Sequence, residues 1–333
     1  MDFRSKLVHV FTIWYRRRLS ILAITFILAL TFLQLGCAPE SPIRAYKSPV
    51  ADSTSSHGLS NPIAVAMSAD GKRAWCSNIG TSVSHCGFIS EIGLDGSVLI
   101  QNAFPFPGDP GLQAPKGLAV IGNHLWVVTH QRLVEFSISS RHQERSFNLS
   151  NTELQEGYCL SPIGMISPDT HEYMLLGFDI SDQTLDAVLS FTPDTSNSST
   201  AFHASWDIPP HSGPKGIGGA VFLFPSFDLI TAEAGNQCIR MSSMIGGFAL
   251  TDSFLLQFPK KNWVTVVVTK GEGQVIAAAD DGSMWIMDSK GSAKCITDKL
   301  VQPGMLCVAP DSSFALVPER GLNRVVKVPL PHE

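Results

Sequence analysis

The stretch that decides the fold is NPIAVAMSADGKRAWCSN, residues 61–78. Its second residue is a proline, Pro62, and two short apolar runs then lie on either side of SADGK, residues 68–72. Asp-Gly favours a tight reversal because both residues tolerate the backbone angles that such a turn needs. The stretch therefore predicts an antiparallel hairpin of two buried strands.

The same phrase recurs along the chain. The further copies are APKGLAVIGNHLWVVTH from Ala114, SPIGMISPDTHEYMLLGFD from Ser161, GPKGIGGAVFLFPSFDLITAE from Gly213 and QPGMLCVAPDSSFALVPE from Gln302. The five prolines lie at positions 62, 115, 162, 214 and 303, so the last gap is 89 residues wide. That gap has room for one degenerate copy, NWVTVVVTKGEGQVIAAADD (262–281), which lacks the proline.

The period of the repeat predicts a β-propeller. Two more polar strands follow each hairpin, and four short antiparallel strands every 40 to 50 residues are typical of a propeller blade. After residue 37 no stretch of helix length has a sustained helical period, which favours an all-β fold. We predict a six-bladed β-propeller of four-stranded antiparallel blades over residues 61–333. For the last blade two alternatives remain open: a segment near 55–61 completes it, or it stays one strand short.

Two further phrases carry a family resemblance. TAEAGNQCIR (231–240) and VPERGLNRV (317–325) each join a strand, a Glu, a turn with Gly and Asn, and an Arg. This pattern resembles the NHL repeat. The proline-led hairpins are similar to the wider group of NHL, SMP-30/gluconolactonase-like and YncE-like propellers. The resemblance implies a propeller of six or seven blades and leaves its ligand open.

The first 60 residues predict export. Five basic residues and one acid precede a long apolar run, as in a signal peptide. The run closes with LQLGC, which resembles the lipobox of bacterial lipoproteins, although Gln34 departs from the usual Leu. We predict a signal peptide over 1–36, lipidation at Cys37, and a flexible Pro- and Ser-containing tether over 37–60. A retained signal anchor is the alternative. Either way we expect a membrane-anchored periplasmic or cell-surface protein.

Charge and cysteine content narrow the function classes. The whole chain has a formal charge of −5, and removing the five bases and one acid of the leader leaves −9. Such an acidic protein gains little from phosphate contacts, so a nucleic-acid partner is not expected. Six cysteines besides Cys37 are compatible with disulfides in an exported protein. Cys76 and Cys86 are the first candidate pair, and Cys295 and Cys307 are the second.

Candidate ligand residues cluster where inner strands begin and second strands end. In a propeller both sets of termini surround the mouth of the central channel, where ligands usually bind. The predicted ligand-binding residues are Lys116, Lys215, His130 and Asp179, and Asn78 belongs to the same ring. The predicted metal ligands are Glu233, Asp280 and Glu319, which offer oxygens to a divalent cation such as calcium.

Two functions compete for this ring. One is a binding or scaffolding module for an envelope protein or a small anionic ligand, for which Phe104, Phe106 and Trp206 in long loops are recognition candidates. The other, implied by the gluconolactonase-like resemblance, is a metal-dependent lactonase or esterase. Against it, that family starts one blade with Pro-Asn-Gly, and no start here has this Asn. A purely structural role for Glu233 and Glu319, accepting hydrogen bonds at the turn, is the third possibility.

Overall fold

The computed structural model describes residues 58–80, 86–105, 112–113, 115–129, 132–148, 159–167, 172–178, 185–191, 202–204, 217–223, 228–245, 249–269, 273–288 and 291–331. These residues belong to one compact unit, Tyr46–Glu333. Within the described ranges the elements are β-strands and one short 3₁₀ helix, which confirms the predicted all-β class. None of the described helical residues forms a helix long and apolar enough to cross a membrane.

The first two blades are antiparallel sheets whose strands follow chain order. Blade 1 contains β1 (Pro62–Met67), β2 (Ala74–Asn78), β3 (Cys86–Ile92) and β4 (Val98–Ile100), and β5 (Leu112–Gln113) pairs with β3. Blade 2 contains β6 (Gly117–Ile121), β7 (His124–Val128), β8 (Arg132–Ser137) and β9 (Gln143–Asn148).

Blades 3 to 5 have the same order. Blade 3 contains β10 (Cys159–Ser167), β11 (Glu172–Phe178), β12 (Leu185–Phe191) and β13 (Phe202–Ala204). Blade 4 contains β14 (Ile217–Leu223), β15 (Asp228–Glu233), β16 (Cys238–Ile245) and β17 (Ala249–Leu255). Blade 5 contains β18 (Trp263–Val268), β19 (Val275–Ala279), β20 (Met284–Met287) and β21 (Ala293–Thr297).

A smaller sheet, the closing sheet, completes the circle. It contains β22 (Cys307–Val308), β23 (Phe314–Glu319) and β24 (Arg324–Pro329), with the 3₁₀ helix η1 (Arg320–Leu322) between the last two strands. The prediction of six four-stranded blades is therefore wrong. Within the described residues the protein has five four-stranded blades and a closing sheet that is one strand short.

The described residues just before β1 contact the end of the second strand of blade 1. The backbone N–H of Ser60 donates to the side-chain oxygen of Asn78 at 3.0 Å, and that of Gly80 donates to the carbonyl of Ser60 at 3.1 Å. This segment therefore pairs with the end of β2 in blade 1 and adds no strand beside β24.

The ring closes through its inner strands. The first strands of successive sheets contact one another in order, and β22 contacts both β18 and β1. Backbone hydrogen bonds seal the junction with blade 1: Val65 N–H donates to Met305 at 3.0 Å, and Met305 N–H donates to Ile63 at 2.7 Å. Gly304 permits this approach, since a β-carbon there would lie 2.1 Å from the carbonyl oxygen of Ile63.

The turn of the opening hairpin follows the sequence prediction. Ser68 N–H donates to the carbonyl of Arg73 at 2.8 Å, and Gly71 has φ +68°, a conformation that favours glycine. The Asp70 carboxylate accepts hydrogen bonds from the Ser68 hydroxyl at 2.6 Å and from Lys72 N–H at 3.1 Å. These hydrogen bonds, that of Ser68 first, lower the pKa of Asp70.

The hydrophobic core lies between neighbouring sheets. In blade 1 the buried Trp75 of β2 lies opposite Ala66, and in blade 2 the buried Trp126 of β7 lies opposite Ala119. A small residue on the inner strand thus faces a large one on the second strand. Phe104 packs against Phe136 with ring centroids 5.2 Å apart, and it is 1% exposed. Phe104 is therefore a core residue in this structure, which does not support its candidacy as a recognition residue, and Phe106 and Trp206 lie outside the described residues.

Candidate functional site

The first NHL-like phrase places a fully buried carboxylate at the end of β15. Glu233 is 0% exposed, and its oxygens accept hydrogen bonds from the Thr231 hydroxyl at 3.0 Å and the Asn236 amide at 2.5 Å. Arg240 donates from Nε at 2.7 Å to the same carboxylate. Burial alone would lower the pKa of Arg240, but its hydrogen bond with Glu233 and the charge of Glu233 raise that pKa. Glu233 is thus occupied by groups of its own blade.

The second phrase repeats this arrangement in the closing sheet. Glu319, at the end of β23, is 1% exposed and accepts a hydrogen bond from Arg324 Nε at 2.5 Å. Its other oxygen accepts the backbone N–H of Val301 at 2.7 Å. The carboxylate therefore ties β24 and the segment before β22 to β23. A shared structural contact explains why one chain contains the phrase twice.

The third predicted metal ligand lies apart from these two glutamates. Asp280 is exposed and accepts a hydrogen bond from the Asn262 amide at 2.9 Å. Among the described residues, Glu233, Asp280 and Glu319 do not form a group of ligand atoms close enough to share an ion. The contacts thus favour the structural role considered for the two glutamates and give no support to a channel calcium site built from these three residues.

The predicted ligand-binding residues are only partly described. Lys116 is half-buried, its backbone N–H donates to Val128 at 2.8 Å, and its carbonyl accepts the Ser77 hydroxyl at 3.3 Å. Asn78 is fully buried and donates to the Ser90 hydroxyl at 3.1 Å, so it belongs to the framework of blade 1. Lys215, His130 and Asp179 lie outside the described residues, as does Cys37.

A cavity of about 330 Å³ lies in the channel. It is lined by inner strands of four blades or sheets besides blade 1, including Val120, Val221, Val267 and Val308. It extends to the hairpin turn of blade 1 at Ser68 and Ala69, that is, to the end of β1 and away from its start. None of the described residues that line it is charged, and none of them belongs to the predicted ring.

A cluster that the sequence did not predict lies in blade 2. Nδ1 of His124 is 3.1 Å from Oε1 of Glu135 and 3.0 Å from Oε2 of Glu144. These three residues are the set of possible metal ligands found in the described part of the chain. The sequence analysis predicted a site at the channel mouth and therefore named His130, whereas this cluster lies on the second, third and fourth strands of a blade. Assigning the register of the β7–β8 hairpin would have brought His124 and Glu135 together.

The cysteines do not form the predicted Cys76–Cys86 disulfide. Cys76 is a buried free cysteine that lies opposite Ser90 in the β2–β3 register. Cys86 is four residues further along β3, about 13 Å at the rise of a strand, which is too far for a disulfide. Cys295 and Cys307 are also free, so the second candidate pair is wrong as well. Burial raises the pKa of Cys307 to about 12.

Comparisons with known proteins support the fold. The chain is similar to the β-propeller domain of Cps50 (Swd1) from Myceliophteria thermophila, with a TM-score of 0.59 and 10% identity over 82% of this chain and 98% of that one. It is also similar to regucalcin, a calcium-binding protein from Agrobacterium tumefaciens, with a TM-score of 0.56 and 11% identity over 81% of this chain and 90% of that one. No protein-family model and no curated protein matches the sequence. By strand topology and by likeness to solved structures, the chain is a β-propeller protein.

Proposed function

We propose that this protein is a binding module that receives an apolar group of a partner protein in its channel. The observation that carries the proposal is the channel cavity of about 330 Å³, whose described side chains are uncharged and mostly aliphatic. A space of this size accommodates a small ligand or one or two large side chains. Apolar side chains anchored in such pockets supply much of the energy of protein recognition.

The chemistry of the lining favours an apolar group over an anion. An anionic ligand is best bound by a cation, and the described lining offers no charged side chain; its polar side chains are the hydroxyls of Ser68 and Thr265 and the thiol of Cys307. The lactonase alternative needs free carboxylates to hold a metal. Glu233 and Glu319 are each paired with an arginine, so they do not supply that site.

The proposed location is the cell envelope. The predicted signal peptide and the lipidation site at Cys37 would hold the propeller at a membrane surface through its tether. We infer that the partner is another protein of the envelope, and that the channel mouth near Ser68 is the surface that meets it.

An uncharged fluorescent probe tests the cavity. N-phenyl-1-naphthylamine is titrated into the full chain, with its anionic relative anilinonaphthalene sulfonate in parallel. We expect saturable binding of the uncharged probe at one site. In Ala119→Phe, which fills the channel from β6, this binding is lost, and in the control Leu99→Phe, on the exposed outer strand β4, it is retained.

A photo-crosslinking residue at position 67, beside the cavity, then tests for the partner in intact cells. The proposal expects a discrete crosslink to an envelope protein that disappears in Ala119→Phe and persists in Leu99→Phe. Absence of saturable probe binding, or binding that is the same in Ala119→Phe, would contradict the proposed function.

A further inference from the structure

Blade 2 brings one imidazole and two carboxylates together on one face of its sheet. His124 begins β7, and Trp126, two residues on, lies opposite Glu135 of β8. Side chains two residues apart on a strand share a face, so His124 and Glu135 are diagonal neighbours on the same side of the sheet. Their approach, 3.1 Å between Nδ1 and Oε1, follows from the register of the hairpin.

A β-bulge brings Glu144 to the same face. Glu135 pairs with Arg145 while the next residue, Phe136, pairs with Gln143, so Glu144 is the extra, unpaired residue of β9. In a regular strand Glu144 and Arg145 would point to opposite faces. Bulges reorient side chains in this way and are frequent beside functional sites. Here the bulge places Oε2 of Glu144 3.0 Å from Nδ1 of His124.

Nδ1 of His124 is the polar atom on which the site centres. It is buried and has no hydrogen-bond partner within the described part of the chain, although two carboxylate oxygens lie close by. An ion held between Nδ1 and these two oxygens would satisfy all three atoms. Ligand atoms that share one tetrahedral zinc ion at about 2.0–2.2 Å are themselves about 3.3–3.6 Å apart. The separations of 3.1 Å and 3.0 Å are slightly shorter, so binding of an ion requires the two carboxylate oxygens to move outward by a few tenths of an ångström.

A second contact fixes the central carboxylate. Oε2 of Glu135 accepts a hydrogen bond from Nε of Arg145, which leaves Oε1 directed at His124. Glu135 has a side chain only 2% exposed, whereas those of His124 and Glu144 are 39% and 41% exposed. Hydrogen bonds to the second oxygen of a ligating carboxylate orient it in many metal sites. The site thus has a fixed inner ligand and two ligands that solvent reaches.

We propose that His124, Glu135 and Glu144 form a binding site for a divalent first-row transition-metal ion such as zinc. With the charge of Arg145 included, the two carboxylates leave a net charge of −1 that favours a cation, and a neutral imidazole suits zinc and its neighbours better than calcium. Three protein ligands leave a fourth position open toward solvent. This site is separate from the channel cavity, whose described lining shares no residue with it.

Zinc itself is the probe for this site. The full chain, purified without a polyhistidine tag and stripped with chelator, is titrated with zinc chloride by calorimetry. We expect one binding site per chain. Glu144→Gln, a change of nearly equal volume at an exposed position, and His124→Ala each weaken binding about 100-fold or more, beyond the effect typical of outer-shell substitutions.

The matched control is His142→Ala, which removes an exposed imidazole only two residues from Glu144. This variant retains binding. Cobalt is a second probe, because its visible spectrum reports direct nitrogen and oxygen coordination, and the cobalt spectrum is lost in Glu144→Gln. The proposal is overturned if the parent chain binds no zinc, or if Glu144→Gln and His124→Ala both bind zinc as the parent does. Circular dichroism of each variant establishes that its sheets are intact. If His124→Ala does not fold, the zinc binding of Glu144→Gln alone decides the test.

Discussion

Glu135 of blade 2 and the glutamates of the two NHL-like phrases are buried to a similar degree but have different partners. Glu233 and Glu319 each pair with an arginine, Arg240 and Arg324, at the turn between second and third strands. Glu135 also contacts an arginine, but its second oxygen faces His124 and is joined there by Glu144. Glu135 therefore differs from Glu233 and Glu319 in the group that contacts its second carboxylate oxygen.

This contrast distinguishes carboxylates that only stabilise the fold from carboxylates that can bind a ligand. A guanidinium is always charged and donates only, so together with backbone or side-chain donors it satisfies a buried carboxylate completely. An imidazole also has an acceptor form, and two carboxylates around it leave an uncompensated negative charge that a cation neutralises. Burial of an acid therefore does not identify a site, whereas the partner of its second oxygen does.

The largest expected effect is the loss of a structural acid. Glu319→Ala leaves Arg324 without its carboxylate and Val301 N–H without its acceptor, so we expect the free energy of unfolding to fall by about 3 to 5 kcal/mol. Glu144→Ala, at an exposed position, should change it by about 0.5 kcal/mol or less in metal-free buffer. Urea unfolding of both variants measures the difference. Equal effects would remove the distinction between the two classes.

A double variant shows whether charge or packing is responsible. Glu319→Gln combined with Arg324→Met removes both charges, and it keeps an acceptor for Val301 N–H. Because the cost of breaking a buried pair comes mainly from the remaining charge, the double variant should be more stable than Glu319→Ala. A double variant as unstable as the single one would mean that shape, and not charge, makes this contact important.

Zinc should produce the next largest effect, in blade 2 alone. At a hundredfold excess over its dissociation constant, a ligand bound only by the folded state stabilises it by about 2.7 kcal/mol. We expect this increase in the parent and none in Glu144→Gln, measured by urea unfolding with and without zinc. Glu233→Gln should keep the increase relative to its own metal-free stability. An increase that Glu233→Gln abolishes would place the ion beside Glu233 and contradict the assignment to blade 2.

A smaller effect concerns a thiol beside a structural acid. Sγ of Cys238 is 3.6 Å from Oε2 of Glu233, and burial first, then the charge of Glu233, raises the pKa of Cys238 from 9.0 to about 11. Because the folded state holds this proton more tightly, its contribution to stability is complete below pH 9 and is lost as pH rises through about 11. Cys238→Ala should reduce this alkaline loss. Unfolding measured from pH 8 to 11 in parent and variant tests it, and an unchanged slope would refute it.

The smallest effect is expected at an exposed ion pair. Lys261 contacts Asp281, whose side chain is 46% exposed. Burial alone would raise the pKa of Asp281, but hydrogen bonds from Lys261 and Ser283 lower it below 3.8. The contribution of the pair is present above that value and is lost as pH falls through the lowered pKa. Asp281→Asn should cost no more than about 1 kcal/mol at neutral pH, measured by urea unfolding. A larger decrease in the free energy of unfolding would mean that this exposed pair resembles the buried pair of Glu319 and Arg324.

The sequence predicted the repeating parts of the fold because they are local. Turn formers such as Asp70 and Gly71 lie between apolar runs, and the proline-led copies fall at the period of a blade. The structure has these hairpins at their expected positions, including the degenerate copy, which forms β18 and β19. The number of four-stranded blades was not predictable in this way, since it depends on whether a segment distant in sequence adds a fourth strand to the closing sheet.

The candidate sites were harder to predict because they depend on register and irregularity. The placement of Glu144 beside His124 requires a bulge in β9, and the residue types at 143–145 do not predict a bulge. The Cys76–Cys86 pair looked plausible by proximity in sequence, but strand register separates the two residues. Glu233 and Glu319 were recognised as a repeated element, and only their contacts with Arg240 and Arg324 show what the repetition does.

Anomalous diffraction at the zinc absorption edge tests the central contrast most directly. Crystals of the full chain grown with zinc would be measured above and below the edge, so that any bound zinc is located without assumption. We predict a peak among His124, Glu135 and Glu144, with no peak beside Glu233, Asp280 or Glu319. A peak beside Glu233, Asp280 or Glu319, or none in blade 2, would contradict the distinction between the two classes of buried acid.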